Sequence, residues 1–228
     1  MNSEFPWLPF LLQTSDALFP TGAYAHSLGF EEVVRFGMVR DESTLRNFLI
    51  EQVVPAQRRQ ELPTLRFAFE AVGIAELCAI DREIDAWKLA VELREASAQL
   101  GVRRLKALRT ISGESVLGEL EAAIAEGRAR GHHLVVCALQ ARIAGVPLEA
   151  ALGTWFYQAL AAVCAAALKL VRIGQDGGQR ALRAAALLAG PTIRESLAVP
   201  RGDAGWFNPM LEIAGMRHAR AEERLFIS

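Results

Sequence analysis

Apolar residues recur along most of this chain at spacings of three and four. Leu45, Phe48, Leu49 and Val53 follow i, i+3, i+4, i+8, and Leu62, Leu65 and Phe69 continue the rhythm. That is the buried stripe of an amphipathic helix. Ile84, Trp87 and Val91 open a further helix running towards Leu108, with Asp81 as its N-cap and residues 110–113 as its stop. Shorter helices are expected over 116–124 and 131–144, the latter closed by Gly145-Val146-Pro147. Residues 148–171 form the long central helix. Gly174 and Gly177-Gly178 break it, and 179–189 resumes helix until Gly190-Pro191. No stretch alternates with period two between hairpin turns. The expected fold is all-α: a single domain over 1–228, a helical bundle of roughly eight to ten helices by this count. Residues 199–209, VPRGDAGWFNP, form its flexible segment, and 210–228 a C-terminal docking tail.

Charge narrows the choice of partner. The net charge of −1 gives no field to attract nucleic acid or an anionic membrane, and protein partners fit better. Cys78, Cys137 and Cys164 are odd in number and far apart, the usage of buried thiols in a reducing cytosol. The opening MNSEFPWLPFLLQ has Glu4 and no Lys or Arg before its apolar run, unlike a secretory leader. A cytoplasmic protein is expected. Residues 150–168 carry no formal charge over a spanning length, but Gly153, Thr154, Gln158 and many alanines dilute them. A core helix is the favoured reading, and a membrane-bound subunit the competing one.

Chemistry is sparse. The stretch SDALFPTGAYAHSLGFEEVV sets Ser15, Asp16, His26 and Ser27 around Pro20-Thr21-Gly22, the residue types of a hydrolase. A nucleophile elbow needs G-x-S-x-G between strand and helix, which is absent here. Adjacent His26 and Ser27 would diverge by about 100° on a helix. A small α-helical hydrolase or metal-binding enzyme centred on Asp16 and His26 stands as the alternative function. His133 and Cys137, at i and i+4, share a helical face as metal candidates, but dedicated sites recruit about three or four ligands. Gly174-Gln175-Asp176-Gly177-Gly178 lacks the Lys-Ser or Lys-Thr of a phosphate loop. None of this encodes an enzyme.

Four blocks then carry a resemblance. LLQTSDALFPTGAYAHSLGFE (11–31), ELREASAQLG (92–101), KLVRIGQDGGQ (169–179) and NPMLEIAGMRHARAEERLF (208–226) resemble, in order, the signatures of the urease accessory protein UreF family. Within the first, Ser15, Asp16, Pro20, Thr21, Gly22, His26, Ser27, Gly29 and Glu31 match the motif and are assigned structural roles as caps and interface groups. Ala23, Tyr24, Ala219 and Glu222 depart from it. The resemblance implies an all-α, homodimeric, non-enzymatic assembly factor. It would join UreD (also called UreH), recruit the GTPase UreG, and assist nickel insertion into apo-urease. Nickel would be handled by the complex, with no cofactor held tightly by this chain. Lys169, Arg172 and Gln175 are the UreG-contact candidates. Arg217, His218, Arg220, Arg224, Leu225 and Phe226 are the UreD candidates, with the three arginines on one face if the tail is helical. The tail is expected to be ordered mainly by that contact.

Overall fold

The computed structural model describes residues 4–228; residues 1–3, the head of the segment weighed as a leader, lie outside the described residues. Among the described residues all regular structure is helical. In chain order the α-helices are α1 (Leu8–Ser15), α2 (Phe30–Arg35), α3 (Glu42–Phe48), α4 (Val54–Ala56), α5 (Leu62–Glu70), α6 (Gly73–Trp87), α7 (Val91–Ile111), α8 (Ser115–Ala125), α9 (His133–Ile143), α10 (Leu148–Leu170), α11 (Gly174–Ala186), α12 (Ala189–Leu197) and α13 (Pro209–His218). The all-α fold is as expected, with more and shorter segments than the periodicity suggested.

The chain forms two compact units. The first comprises residues up to Ala23, Thr64–Lys88 and Ser97–Leu152. In it α6 packs against α8 and α9 through Leu77, Ile80, Ile84, Leu117, Leu120, Val135 and Leu139, all buried. The second comprises Tyr24–Pro63, Leu89–Ala96 and Gly153–Ser228. There α13 packs on α2 and α11 on α3, around Phe30, Val33, Leu45, Leu49, Phe156 and Ala185. α3 starts at a capping box, with Thr44 N–H donating to Asp41 Oδ1 at 2.8 Å.

Two stretches of wider π-helix, Leu49–Val53 and Gln57–Glu61, flank α4. Each holds the residue four before a proline, Glu51 before Pro55 and Arg59 before Pro63. The wider turn accommodates rings that would clash with an α-helical carbonyl. Pro63 has no N–H to offer Arg59, and the freed Arg59 carbonyl instead accepts from Gly205 N–H at 2.9 Å. That bond fixes part of the segment expected to be flexible, which also contains a short 3₁₀ turn, Arg201–Asp203.

Three local expectations are corrected. Asp81 is not an N-cap: it lies inside α6, and the chain breaks instead at Lys88, before α7. Gly177 and Gly178 do not break a helix but sit in the first turns of α11. A Cβ on Gly178 would come 3.2 Å from Leu168 Cδ2 and one on Gly177 3.1 Å from Glu42 Oε2, so close approach, not a turn, selects glycine. Gly190 and Pro191 open α12, where a missing N–H costs nothing, and do not end a helix.

α10 is long and apolar enough to cross a membrane by length and composition. Leu152, Phe156, Leu160 and Ala167 on it are buried, as on the core helix of a helical protein.

Candidate functional site

In the second unit, α2 begins after two successive left-handed residues, Leu28 (φ 52°) and Gly29 (φ 85°). Glycine fits at 29 twice over, since a Cβ there would also meet Gly215 N of α13 at 3.3 Å. This tight crossing sets Glu31, 4% exposed, under the end of the chain. Its carboxylate accepts the N–H of Leu225 at 3.1 Å and of Phe226 at 3.1 Å. It also faces Arg35 Nη2 at 3.1 Å and His218 Nε2 at 3.3 Å. Burial pushes the Glu31 carboxyl upward, but these two amides, His218 and Arg35 together hold it below the ordinary carboxylate range.

His218, on the last turn of α13, is fully buried between two carboxylates. Its Nδ1 lies 2.9 Å from Glu92 Oε2, across the ring from Glu31. Each ring nitrogen thus has a carboxylate oxygen within hydrogen-bonding reach. Glu92 Oε1 also accepts from Arg224 Nη1 at 2.9 Å, and Glu32 receives Arg35 Nη1 at 2.8 Å. Arg35 further donates to the Glu223 carbonyl. Each of these carboxylates thus has an arginine beside it, with further hydrogen bonds to Glu31 and Glu92, the condition under which such a network stabilises.

Ser228 closes the arrangement. Its carbonyl oxygen accepts from Ser27 N–H at 2.5 Å, Leu28 N–H at 2.9 Å and Ser27 Oγ at 2.9 Å. Its hydroxyl lies 2.7 Å from His26 Nδ1. Converging N–H groups at left-handed residues form a nest for an oxygen, which is why the Leu28 strain is tolerated. Between these anchors the backbone bends at Leu225 and Phe226, and Ile227 N–H donates to the Ala25 carbonyl at 2.8 Å.

Burial alternates along residues 225–228. Phe226 is buried beneath Lys169 Nζ, 5.0 Å from its ring centroid, while Leu225 and Ile227 are 60% and 58% exposed. The outer face of α13 adds Met210, Ile213 and Met216, each more than 40% exposed, after Trp206 and Phe207. Two expectations change here. The tail is ordered by its own unit, because Glu31 and Ser27 supply acceptors and donors for its backbone. The three arginines do not share a helical face, because α13 ends at His218 and only Arg217 precedes that end. Of the six tail candidates, His218 and Phe226 are buried, and Arg217, Arg220, Arg224 and Leu225 are exposed. Lys169, Arg172 and Gln175 are all exposed.

The first unit carries a similar device. Asp81, fully buried, accepts Arg130 N–H (2.5 Å) and Gly131 N–H (3.2 Å) on Oδ1, and His132 N–H (2.7 Å) on Oδ2. His132 lies between Ser97 Oγ (3.1 Å) and Asp85 Oδ1 (3.2 Å). Burial holds this ring below the ordinary histidine range against the upward pull of the aspartates. His133 and Cys137 face a guanidinium: Arg104 Nη1 is 3.4 Å from His133 Nε2. Burial, then Arg104, pushes His133 down to about 3, and burial raises the Cys137 thiol. A cation there opposes metal binding, and no group of three or more candidate metal ligands exists among the described residues. Asp16 Oδ1 accepts Leu18 N–H at 2.7 Å in a tight turn after Ser15, which ends α1, and Thr21 Oγ1 accepts Ala23 N–H at 3.3 Å beside Gly22 (φ 77°). Pro20 lies between them on the exposed surface.

Sequence reasoning named Glu31, His26, Ser27 and His218 but missed Glu92, Arg35 and Ser228 as their partners. Arg35 was legible as an i+4 cation for Glu31. Glu92 and Ser228 carry no local signal.

The UreF family model matches residues 39–186. A urease accessory protein UreF of Paenarthrobacter aurescens (strain TC1) is 36% identical over 96% of both chains, and that of Arthrobacter sp. (strain FB24) is 35% identical over the same shares. A UreF of Bacillus sp. (strain TB-90) is 30% identical over 96% of this chain and 97% of its own. Tail, signature and Glu92 block, far apart in sequence, meet in one buried network, and with these likenesses the chain belongs to the UreF family of urease accessory proteins, which are not enzymes.

Proposed function

We propose that this chain is an assembly factor of urease maturation. It joins UreD (UreH), recruits the GTPase UreG and assists nickel delivery to apo-urease, acting as a cytoplasmic homodimer without a resident cofactor. The observation that carries this is the tail. Its backbone is pinned by buried Glu31 and Ser27, while Leu225, Ile227, Met210, Ile213 and Met216 are held outward. The backbone beneath these side chains is already ordered, so docking costs only their own rotamer freedom, which favours it. Arg217, Arg220 and Arg224 supply a cationic rim, fitting carboxylates on UreD. Lys169, Arg172 and Gln175, exposed on α10 and beyond, are assigned to UreG. Nickel is cargo passed within the complex.

Co-expression with UreD, followed by size-exclusion chromatography, tests this reading. The double variant Met216→Asp, Leu225→Asp should lose co-elution and keep its melting temperature. Unchanged co-elution would overturn the assignment of this face.

A further inference from the structure

A second surface lies in the first unit. α1, the turn that follows it and the last three turns of α7 enclose an open groove of about 800 Å³. Its apolar lining includes Leu12, Leu18, Phe19 and Ile111, with Leu18 91% and Leu12 63% exposed. Arg103 and Lys106 stand at its α7 wall, and neither forms an ion pair among the described residues. Behind Phe19, the Arg104 guanidinium is 5% exposed and 5.1 Å from the ring centroid. It donates to Gln140 Oε1 and the Thr14 carbonyl, both at 2.6 Å, but to no carboxylate. The one carboxylate at the groove, Asp16, is engaged by Leu18 N–H. Three cations within four residues therefore lack a counter-charge beside an exposed apolar trough.

We infer that this groove docks an amphipathic helix of a partner protein, one whose apolar face is bordered by Asp or Glu. Grooves between two helices accept a third helix through apolar side chains on successive turns. Carboxylates beside that face would complement Arg103 and Lys106 and fix its orientation. A second copy of this chain fits poorly, because a two-fold contact would oppose Arg103 and Lys106 to themselves. A bilayer fits poorly too, since a concave trough cannot sink its floor into a flat surface.

The probe is a fluorescein-labelled helical peptide of about 18 residues, with Leu at i, i+3, i+4, i+7 and Glu on the flanking positions. It is titrated with the full chain and followed by anisotropy. The Glu peptide should bind roughly tenfold more tightly than the same peptide with Lys for Glu. Arg103→Glu with Lys106→Glu should invert that preference, and Leu18→Ser should weaken both peptides without changing the circular-dichroism melt. Equal binding of the two peptides, or indifference to these substitutions, overturns the proposal. So does preferential binding to phosphatidylserine vesicles, or concentration-dependent self-association that Leu18→Ser abolishes.

Discussion

Glu31 and Asp81 are the same device put to two uses. Each is a buried carboxylate on a helix that gathers backbone N–H groups from a distant segment, next to a buried histidine. Around Asp81 the captured segment is the entry to α9, whose next residues, Leu134, Val135 and Val136, are all core. The carboxylate there pins the three residues that lead into α9, and of the donors a helix start leaves open it satisfies the one on His132. Around Glu31 the captured segment is a tail of which Leu225 and Ile227 face solvent, and the Arg35 guanidinium and the His218 ring flank the carboxylate. One carboxylate builds a core, and the other presents a surface. What differs is what lies next to the captured amides in sequence, and the arginine beside Glu31.

Gly101 offers the hardest test of the core-building case. A Cβ there would fall 1.9 Å from the Gly131 carbonyl oxygen, on the segment Asp81 holds, and 2.8 Å from His133 N. Those are backbone atoms that cannot swing aside. Gly101→Ala is expected to cost about 3–5 kcal/mol and to broaden the unfolding transition. Urea denaturation within about 1 kcal/mol of wild type would show the loop to be more pliant than this contact allows.

Substituting the carboxylates themselves sharpens the contrast. Asp81→Ala orphans three amides at about 1 kcal/mol or more each, and exchange protection should fall throughout α9. Glu31→Gln keeps an acceptor but removes the charge facing His218 and Arg35, costing about 2–3 kcal/mol. Its loss of hydrogen-exchange protection should concentrate in 219–228 and leave α6 and α9 as they were. Similar exchange patterns from the two variants would erase the distinction.

Acidity should separate them least, but in different windows. His132 titrates below its ordinary 6.5 when folded, so its contribution is complete above 6.5 and declines as pH falls below it. Glu31 titrates below its ordinary 4.5, so its contribution is complete above 4.5 and is lost only as pH falls through the lowered value. Melting temperature against pH should therefore lose part of its slope between about pH 6.5 and 4.5 in His132→Gln. In Glu31→Gln the slope should flatten only below that range. Identical profiles in both variants would contradict the assignment.

These residues also mark where the sequence could be read and where it could not. Helices over 42–70 and 133–143 followed from apolar spacing, because burial of one face is a local pattern. Asp81 was misread as a cap because its preference for accepting backbone N–H groups is real, but those it accepts lie 49–51 residues onward, in the segment leading into α9. Gly177-Gly178 looked like a break because low helix propensity is visible in sequence and contact with Leu168 is not. Leu225 and Phe226 read alike as partner contacts, because both are apolar and nothing local separates them. The bent tail places Phe226 in the core and leaves Leu225 on the surface.

The 194 residues between Glu31 and Leu225 have a consequence for how the protein is made. Synthesis proceeds from the N-terminus at rates that separate the two by roughly 10–40 s. Throughout that interval Glu31 and Ser27, and in its later part Glu92, are already translated while the tail groups that bond them are still to be made. The second unit therefore cannot complete its interior before its last segments are made. Its α2 surface, acidic and lined with Phe30 and Val33, stays uncovered until translation has passed residue 226, a period in which it depends on not meeting the wrong partner.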